Sequence, residues 1–215
     1  MSERYPGYDV LNKRNSMSWN EQTREVIDQR LAVDPDRHLF FSDEDWQTLR
    51  AVCERIVPQT TARPHPVPVA AMVDEKMYSN AGDGYRYAEL PPMPDAWRRG
   101  LTALDSESHD RHRRRFHELD PLEQDAILTA VQNGTVKNRA WRDLPPKSFF
   151  TKRVLHDIVS SYYAHPTSWN EIGFGGPASP RGYVRMNFDR RDPWEASEAR
   201  PGREGRARRE NEHVG

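Results

Sequence analysis

Six stretches of this chain set apolar residues at helical spacing, and polar or proline-rich segments part them. The first opens at Ser18-Trp-Asn-Glu21. These residues read as a capping box, with Val26, Ile27 and Leu31 following before Asp34-Pro35. The second starts at Ser42, where Asp43, Glu44 and Asp45 suit the positive end of a helix dipole. Trp46, Leu49, Val52, Cys53, Ile56 and Val57 form its stripe, and Pro58 stops it. Four prolines from Pro58 to Pro68 predict a stiff connector. Val69, Met72, Val73 and Met77 then predict a helix over 69–78, broken by Asn80-Ala-Gly-Asp-Gly84.

After the polyproline-like Pro91-Pro-Met-Pro94, Asp95 caps a helix carrying Trp97, Leu101 and Leu104. Gly100 weakens that helix by about 1 kcal/mol relative to alanine, a cost that packing offsets. The strongest local signature is Asp120-Pro-Leu-Glu123, which combines an Asp cap, Pro at the first helical position and Glu at the third. Leu122, Ala126, Ile127, Ala130 and Val131 follow, and Gly134 closes the helix. Phe149, Phe150, Val154, Leu155, Ile158, Val159 and Tyr162 define the last amphipathic stretch.

That stretch runs into His165–Tyr183, which is dense in glycine and proline. Gly173, Gly175, Gly176 and Gly182 permit positive φ, while Pro166, Pro177 and Pro180 remove amide donors, so a defined, irregular loop is expected. It carries Trp169, Phe174 and Tyr183, and loops of this kind recognise partners; the alternative is a strap that covers the core. The fold expected is all-α: about six helices in one domain over 18–187, with long Pro/Gly-rich loops. An extended arm (1–17) precedes it. A charged, mostly disordered tail (188–215) follows, with Trp194 as its docking point.

Composition points to a modest core. Mean hydropathy is −0.97, and Leu, Ile, Val and Phe supply 38 of 215 residues, a little under the roughly 20% that warns of disorder. Disorder also requires high net charge, and here it is −1; six Trp and eight Tyr favour a fold that leans on aromatics and on a partner surface. A pI near 6.7 argues against a dedicated nucleic-acid binder. Cys53 is the single cysteine, so the chain forms no internal disulfide. No apolar run reaches about 18 residues and the N-terminus shows no signal-peptide pattern. A cytoplasmic protein, or one exported with a partner, is the expectation.

Candidate chemistry is sparse. Gly173-Phe-Gly175-Gly-Pro-Ala178 satisfies the letter of a dinucleotide fingerprint, but a helix precedes it and Pro177, Pro180 and Gly182 exclude one after it. His109, His112 and His117 stand among Arg111, Arg113, Arg114 and Arg115, where a metal would face four cations. A solvated helical face with Glu107–Arg111 and Asp110–Arg114 pairs is expected there. Its functional alternative is a regulatory module that binds nucleic acid or an anionic surface through Arg111–Arg115. Cys53 lies on an apolar stripe, as an inert thiol would. His156 and Asp157 are adjacent on a helix and are expected to diverge. No catalytic residue, metal ligand or cofactor site is assigned to this chain.

Four stretches in register resemble the gluconate 2-dehydrogenase subunit 3 family. They are Phe40-Phe-Ser-Asp-Glu-Asp-Trp-Gln-Thr-Leu49 running on to Pro58, Gly100-Leu-Thr-Ala-Leu-Asp105, Phe116-His-Glu-Leu-Asp-Pro-Leu-Glu-Gln-Asp-Ala-Ile-Leu128, and Phe149-Phe150 leading to Trp169-Asn-Glu-Ile-Gly-Phe-Gly-Gly-Pro177. The resemblance covers roughly residues 38–183. It implies a small, non-catalytic subunit that binds, stabilises and helps mature a large subunit. That large subunit is a glucose-methanol-choline-type sugar or polyol dehydrogenase carrying FAD, and a cytochrome c subunit often takes the electrons. Family members commonly carry a twin-arginine export signal, which residues 1–37 lack. The residues expected to meet the large subunit are Trp169, Asn170, Ile172, Gly173, Phe174, Gly175, Gly176, Pro177 and Tyr183.

Overall fold

The computed structural model describes residues 4–60, 63, 65–85, 87–183, 186 and 190–214. Its helices are α1 (Glu21–Leu31), α2 (Asp43–Ile56), α3 (Val69–Tyr78), α4 (Met93–His112), α5 (Pro121–Asn133), α6 (Pro146–Phe149), α7 (His156–Ala164), α8 (Pro166–Ile172) and α9 (Glu204–Asn211). Between α6 and α7 the chain stays helical, as a π-helix over Phe150–Leu155. Among the described residues there is no strand, only one isolated bridge between Trp19 and Ser179. The all-α expectation holds. The chain divides into two compact units, Asp34–Tyr162 and Met1–Val33 with Tyr163–Gly215, a division that falls inside the stretch read as one domain.

In the unit Asp34–Tyr162 the local signals act as the sequence implies. Ser42 accepts from the Asp45 amide, and Asp120 accepts from Leu122 and Glu123 while Glu123 returns to the Asp120 amide. Gly134 ends α5 in the left-handed region at φ 68°. Helix α2 packs on α3, α4 and α5 and buries Leu49 and Val52. Trp97, Leu101 and Leu104 of α4 are fully buried with Phe149, each large side chain contributing about 1.5–3 kcal/mol. Gly100 is where α4 meets the Phe149 ring: a Cβ there would lie 2.0 Å from Cζ.

Buried carboxylates hold the connectors. Asp74 accepts from the amides of Leu39, Phe40 and Phe41, fixing the turn before α2. Glu107 accepts from the amides of Lys137 and Asn138. Orphan backbone donors are thus satisfied where no regular partner exists.

Helix α4 departs from expectation at both ends. It begins at Met93 with Pro94 in its first turn, so Asp95 is not its cap and pairs with Arg99 at 2.9 Å. It runs to His112 and ends with Arg113 in the left-handed region, which turns Arg114 away from Asp110. Arg114 pairs with Glu123, and Asp110 accepts from the Asn138 amide group. The expected Glu107–Arg111 pair is present.

The other unit is built from the two chain ends. Tyr8, Val10, Trp19, Ile27, Trp169 and Val214 form its core, with Tyr5, Leu11 and Ala196 packed against it. The N-terminal arm is not extended: Asp9 caps a 3-10 turn over Val10–Asn15. Helix α1 begins at Glu21 rather than Ser18. Asn20 is the cap, accepting from Thr23, because the Ser18 hydroxyl is buried and taken by Arg181.

The tail also departs from expectation. Its helix α9 buries Ala207, and Asn211 donates to the carbonyls of Pro6 and Ser197 and accepts from the Ser197 amide. Hydrogen bonds of a buried polar residue tie this segment down, and apolar spacing does not report them.

Candidate functional site

The segment His165–Tyr183 begins as a helix, contrary to the irregular loop expected. His165 Nδ1 accepts from the Thr167 amide, Pro166 takes the first helical position, and Gly173 closes α8 at φ 65°. The proline and glycine read as helix breakers are the start and stop of a short helix. Gly173 is also a close approach, since a Cβ there would lie 2.5 Å from the Tyr5 ring.

Trp169 is 3% exposed. It faces the unit's core, donates its indole N–H to the Tyr163 carbonyl at 2.6 Å and meets Phe174 edge to face at 5.6 Å. Asn170 is structural as well: it accepts from the Val10 amide at 2.8 Å and donates to Asp9 at 3.2 Å.

Beyond α8 the backbone is pinned carbonyl by carbonyl. Tyr8 Oη donates to Phe174 O at 3.1 Å, Lys13 Nζ to Gly175 O at 2.9 Å, Trp19 Nε1 to Pro177 O at 3.0 Å, and Tyr183 Oη to Gly176 O at 3.2 Å. Gly176, at φ 68°, lets this run pass within contact of Val10 and Trp169. Three of the nine expected residues present apolar surface: Ile172, Phe174 at 41% exposed and Tyr183 at 75%. Met186 adds a fourth exposed apolar side chain. The arrangement is a set of outward anchors on backbone that is held from beneath.

Lys13 and Tyr8, which do much of that holding, were not legible as such. Lys13 is fully buried, and burial, with Arg181 nearby, lowers its ammonium to about 8. Burial pushes the Tyr8 phenol up.

A second polar assembly lies in the unit Asp34–Tyr162. Asp157 is fully buried and accepts from Trp97 Nε1 at 2.7 Å and Lys76 Nζ at 3.0 Å. Asp83 accepts from Lys76 at 2.8 Å and from Arg153 at 2.8 Å. Burial acts to lower the Lys76 ammonium, but its hydrogen bonds to both carboxylates outweigh that and raise it. Burial likewise acts to raise Asp83, and the bonds from Lys76 and Arg153 win and lower it. The sequence did carry one signal for this assembly: Asp157 sits on the apolar side of its helix, at helical spacing from Val154 and Ser161.

His156 does not diverge from its neighbour. Its Nδ1 lies 3.3 Å from Asp157 Oδ1, just after the π-wound segment that alters the usual side-chain directions. Asp83, His156 and Asp157 bring ligand atoms within 4.8 Å of one another. The Lys76 ammonium already sits between the two carboxylates and Arg153 closes the set, so a metal ion would have to displace a cation at close range. The group is a closed ion network joining α3, α4 and α7.

Three of the four arginines of the Arg111–Arg115 run are also paired. Arg111 pairs with Glu107, Arg114 with Glu123 and Arg115 with Glu44, while His112 Nδ1 lies 3.2 Å from Glu123. Cys53 is buried and burial pushes its thiol up, as befits an unreactive group.

A family model described as gluconate 2-dehydrogenase subunit 3 matches residues 43–176, more than half of the chain. Neither the curated proteins nor the solved structures contain a match.

Proposed function

The chain belongs to the gluconate 2-dehydrogenase subunit 3 family, and we propose that it is a non-catalytic small subunit that binds, stabilises and helps mature a large FAD-containing sugar or polyol dehydrogenase. The observation that carries the docking surface is the pinned segment after α8. Ile172, Phe174, Tyr183 and Met186 are exposed, while the carbonyls of residues 174–177 accept hydrogen bonds from Tyr8, Lys13, Trp19 and Tyr183. Anchors held in place before binding lose little conformational entropy on association, and large aromatic residues concentrate interface energy. Trp169 is the support of this surface rather than part of it.

The reading through Arg111–Arg115 has no such support, because carboxylates of the same unit meet three of its guanidinium groups. FAD belongs to the large subunit in this reading.

Co-expression tests the proposal. A large flavoprotein encoded beside this chain is produced with and without it, and soluble yield and FAD content are measured. Yield and flavin loading that depend on the chain support it; equal loading of the large protein alone overturns it.

A further inference from the structure

The segment from Arg190 to Glu210 carries seven arginines against five acids, an excess that is unevenly placed in space. It lines a cavity of about 820 Å³ with Arg190, Arg191, Arg200, Arg203 and Arg206 and the acids Glu195, Glu198 and Glu210. Each acid is already engaged. Glu195 accepts from the Asp192 amide at 2.9 Å, Glu198 pairs with Arg4 at 2.8 Å, and Glu210 accepts from Ser197 Oγ at 2.6 Å and pairs with Arg206 at 2.8 Å. Arg191 donates to the Glu195 carbonyl and lies 3.8 Å from Glu210. Among the described residues Arg190, Arg200 and Arg203 have no side-chain partner.

This contrasts with Arg111–Arg115, where three of the four arginines are paired with Glu44, Glu107 and Glu123. We propose that the cavity is a binding site for a phosphate-bearing anion, with Arg190, Arg200 and Arg203 as its ligating residues. A guanidinium presents a planar fork of donors that matches phosphate oxygens in pairs. Three forks around one cavity suit the several oxygens of a di- or triphosphate better than a single carboxylate. The volume lies within the range of small-ligand sites, and the positive end of α9 begins at Arg203, adding to the same field. This inference is independent of the docking surface proposed above.

The test is calorimetric titration of the full chain with pyrophosphate at low salt, beside co-sedimentation with phosphatidylglycerol vesicles and, as control, phosphatidylcholine vesicles. The variant Arg190→Gln/Arg200→Gln/Arg203→Gln should weaken pyrophosphate binding at least tenfold, while Arg113→Gln, a cavity-free arginine of the other unit, should not. Added salt should weaken the wild-type binding steeply. Binding to phosphatidylglycerol alone, lost in the triple variant, supports the site with a lipid headgroup as the source of the phosphate. Should circular dichroism show the Gln variant unfolded, the triple Arg→Lys variant asks the same question, since lysine keeps the charge and loses the fork. Absence of binding to either probe, or binding that all the cavity variants retain, overturns the proposal.

Discussion

Lys13 and Gly175 lie 162 positions apart, and the buried ammonium of the first donates to the carbonyl of the second at 2.9 Å. The bond closes the N-terminal turn onto the segment that follows α8. It leaves a cation in a site where burial lowers it from 10.5 to about 8. Between those two values the unfolded chain binds the proton and the folded chain does not, so stability rises with pH across that window. The gain is of order 3 kcal/mol when complete.

Lys13→Met tests this. The buried Cys53 thiol and Tyr8 phenol are both pushed up, so they act in the opposite sense, costing stability as pH rises past the unfolded values of 9.0 and 10.0. The difference between wild type and Lys13→Met isolates the lysine. Denaturant midpoints measured from pH 7 to 10.5 should show wild type gaining on the variant as pH rises; parallel curves would refute the assignment.

Trp169 and Phe174 touch, yet they should behave differently on truncation. Trp169→Ala opens a cavity in the core of its unit and is expected to cost about 3–5 kcal/mol. Phe174→Ala with Tyr183→Ala removes partly exposed rings and should cost no more than about 1 kcal/mol each, while abolishing co-purification with the large subunit. Thermal unfolding and affinity pull-down of the same preparations separate the two effects. Retained co-purification of the double variant would remove the docking surface from consideration.

Gly100→Ala sets helix propensity against packing. Propensity favours alanine by about 1 kcal/mol in a helix interior. The new methyl would, however, lie 2.0 Å from Phe149 Cζ, in a ring held between Trp97 and Trp141. Overpacking of this kind costs about 1–3 kcal/mol, so a net destabilisation is expected in urea unfolding. A stabilised Gly100→Ala would show that the ring moves freely.

Asp157→Ala leaves the Trp97 indole N–H without its acceptor and the Lys76 ammonium with Asp83 alone. The expected loss is about 3–5 kcal/mol, the cost of breaking a buried pair. Asp157→Asn keeps the shape and one acceptor oxygen and should lose less. Asp83, held low, contributes stability that is present above its unfolded value of 3.8 and is lost as pH falls through its lower folded value. An acid unfolding curve that is the same in Asp83→Asn as in wild type would count against the network.

The sequence by itself determined the helices whose ends carry their own chemistry. Asp120, Pro121, Glu123 and Gly134 bound α5, and Ser42 opens α2, because a cap satisfies backbone groups a few residues away and needs no distant partner. It also located the aromatic segment after residue 164, though Pro166 and Gly173 proved to frame a helix and Trp169 to lie in the core. Three-dimensional packing decided the rest. The Lys13–Gly175 bond, the Asn211 contacts that order the tail and the Lys76–Asp83–Arg153–Asp157 network join residues far apart in the chain. Their energy comes from desolvated polar groups meeting one another, and neither apolar periodicity nor net charge records which of those groups will meet.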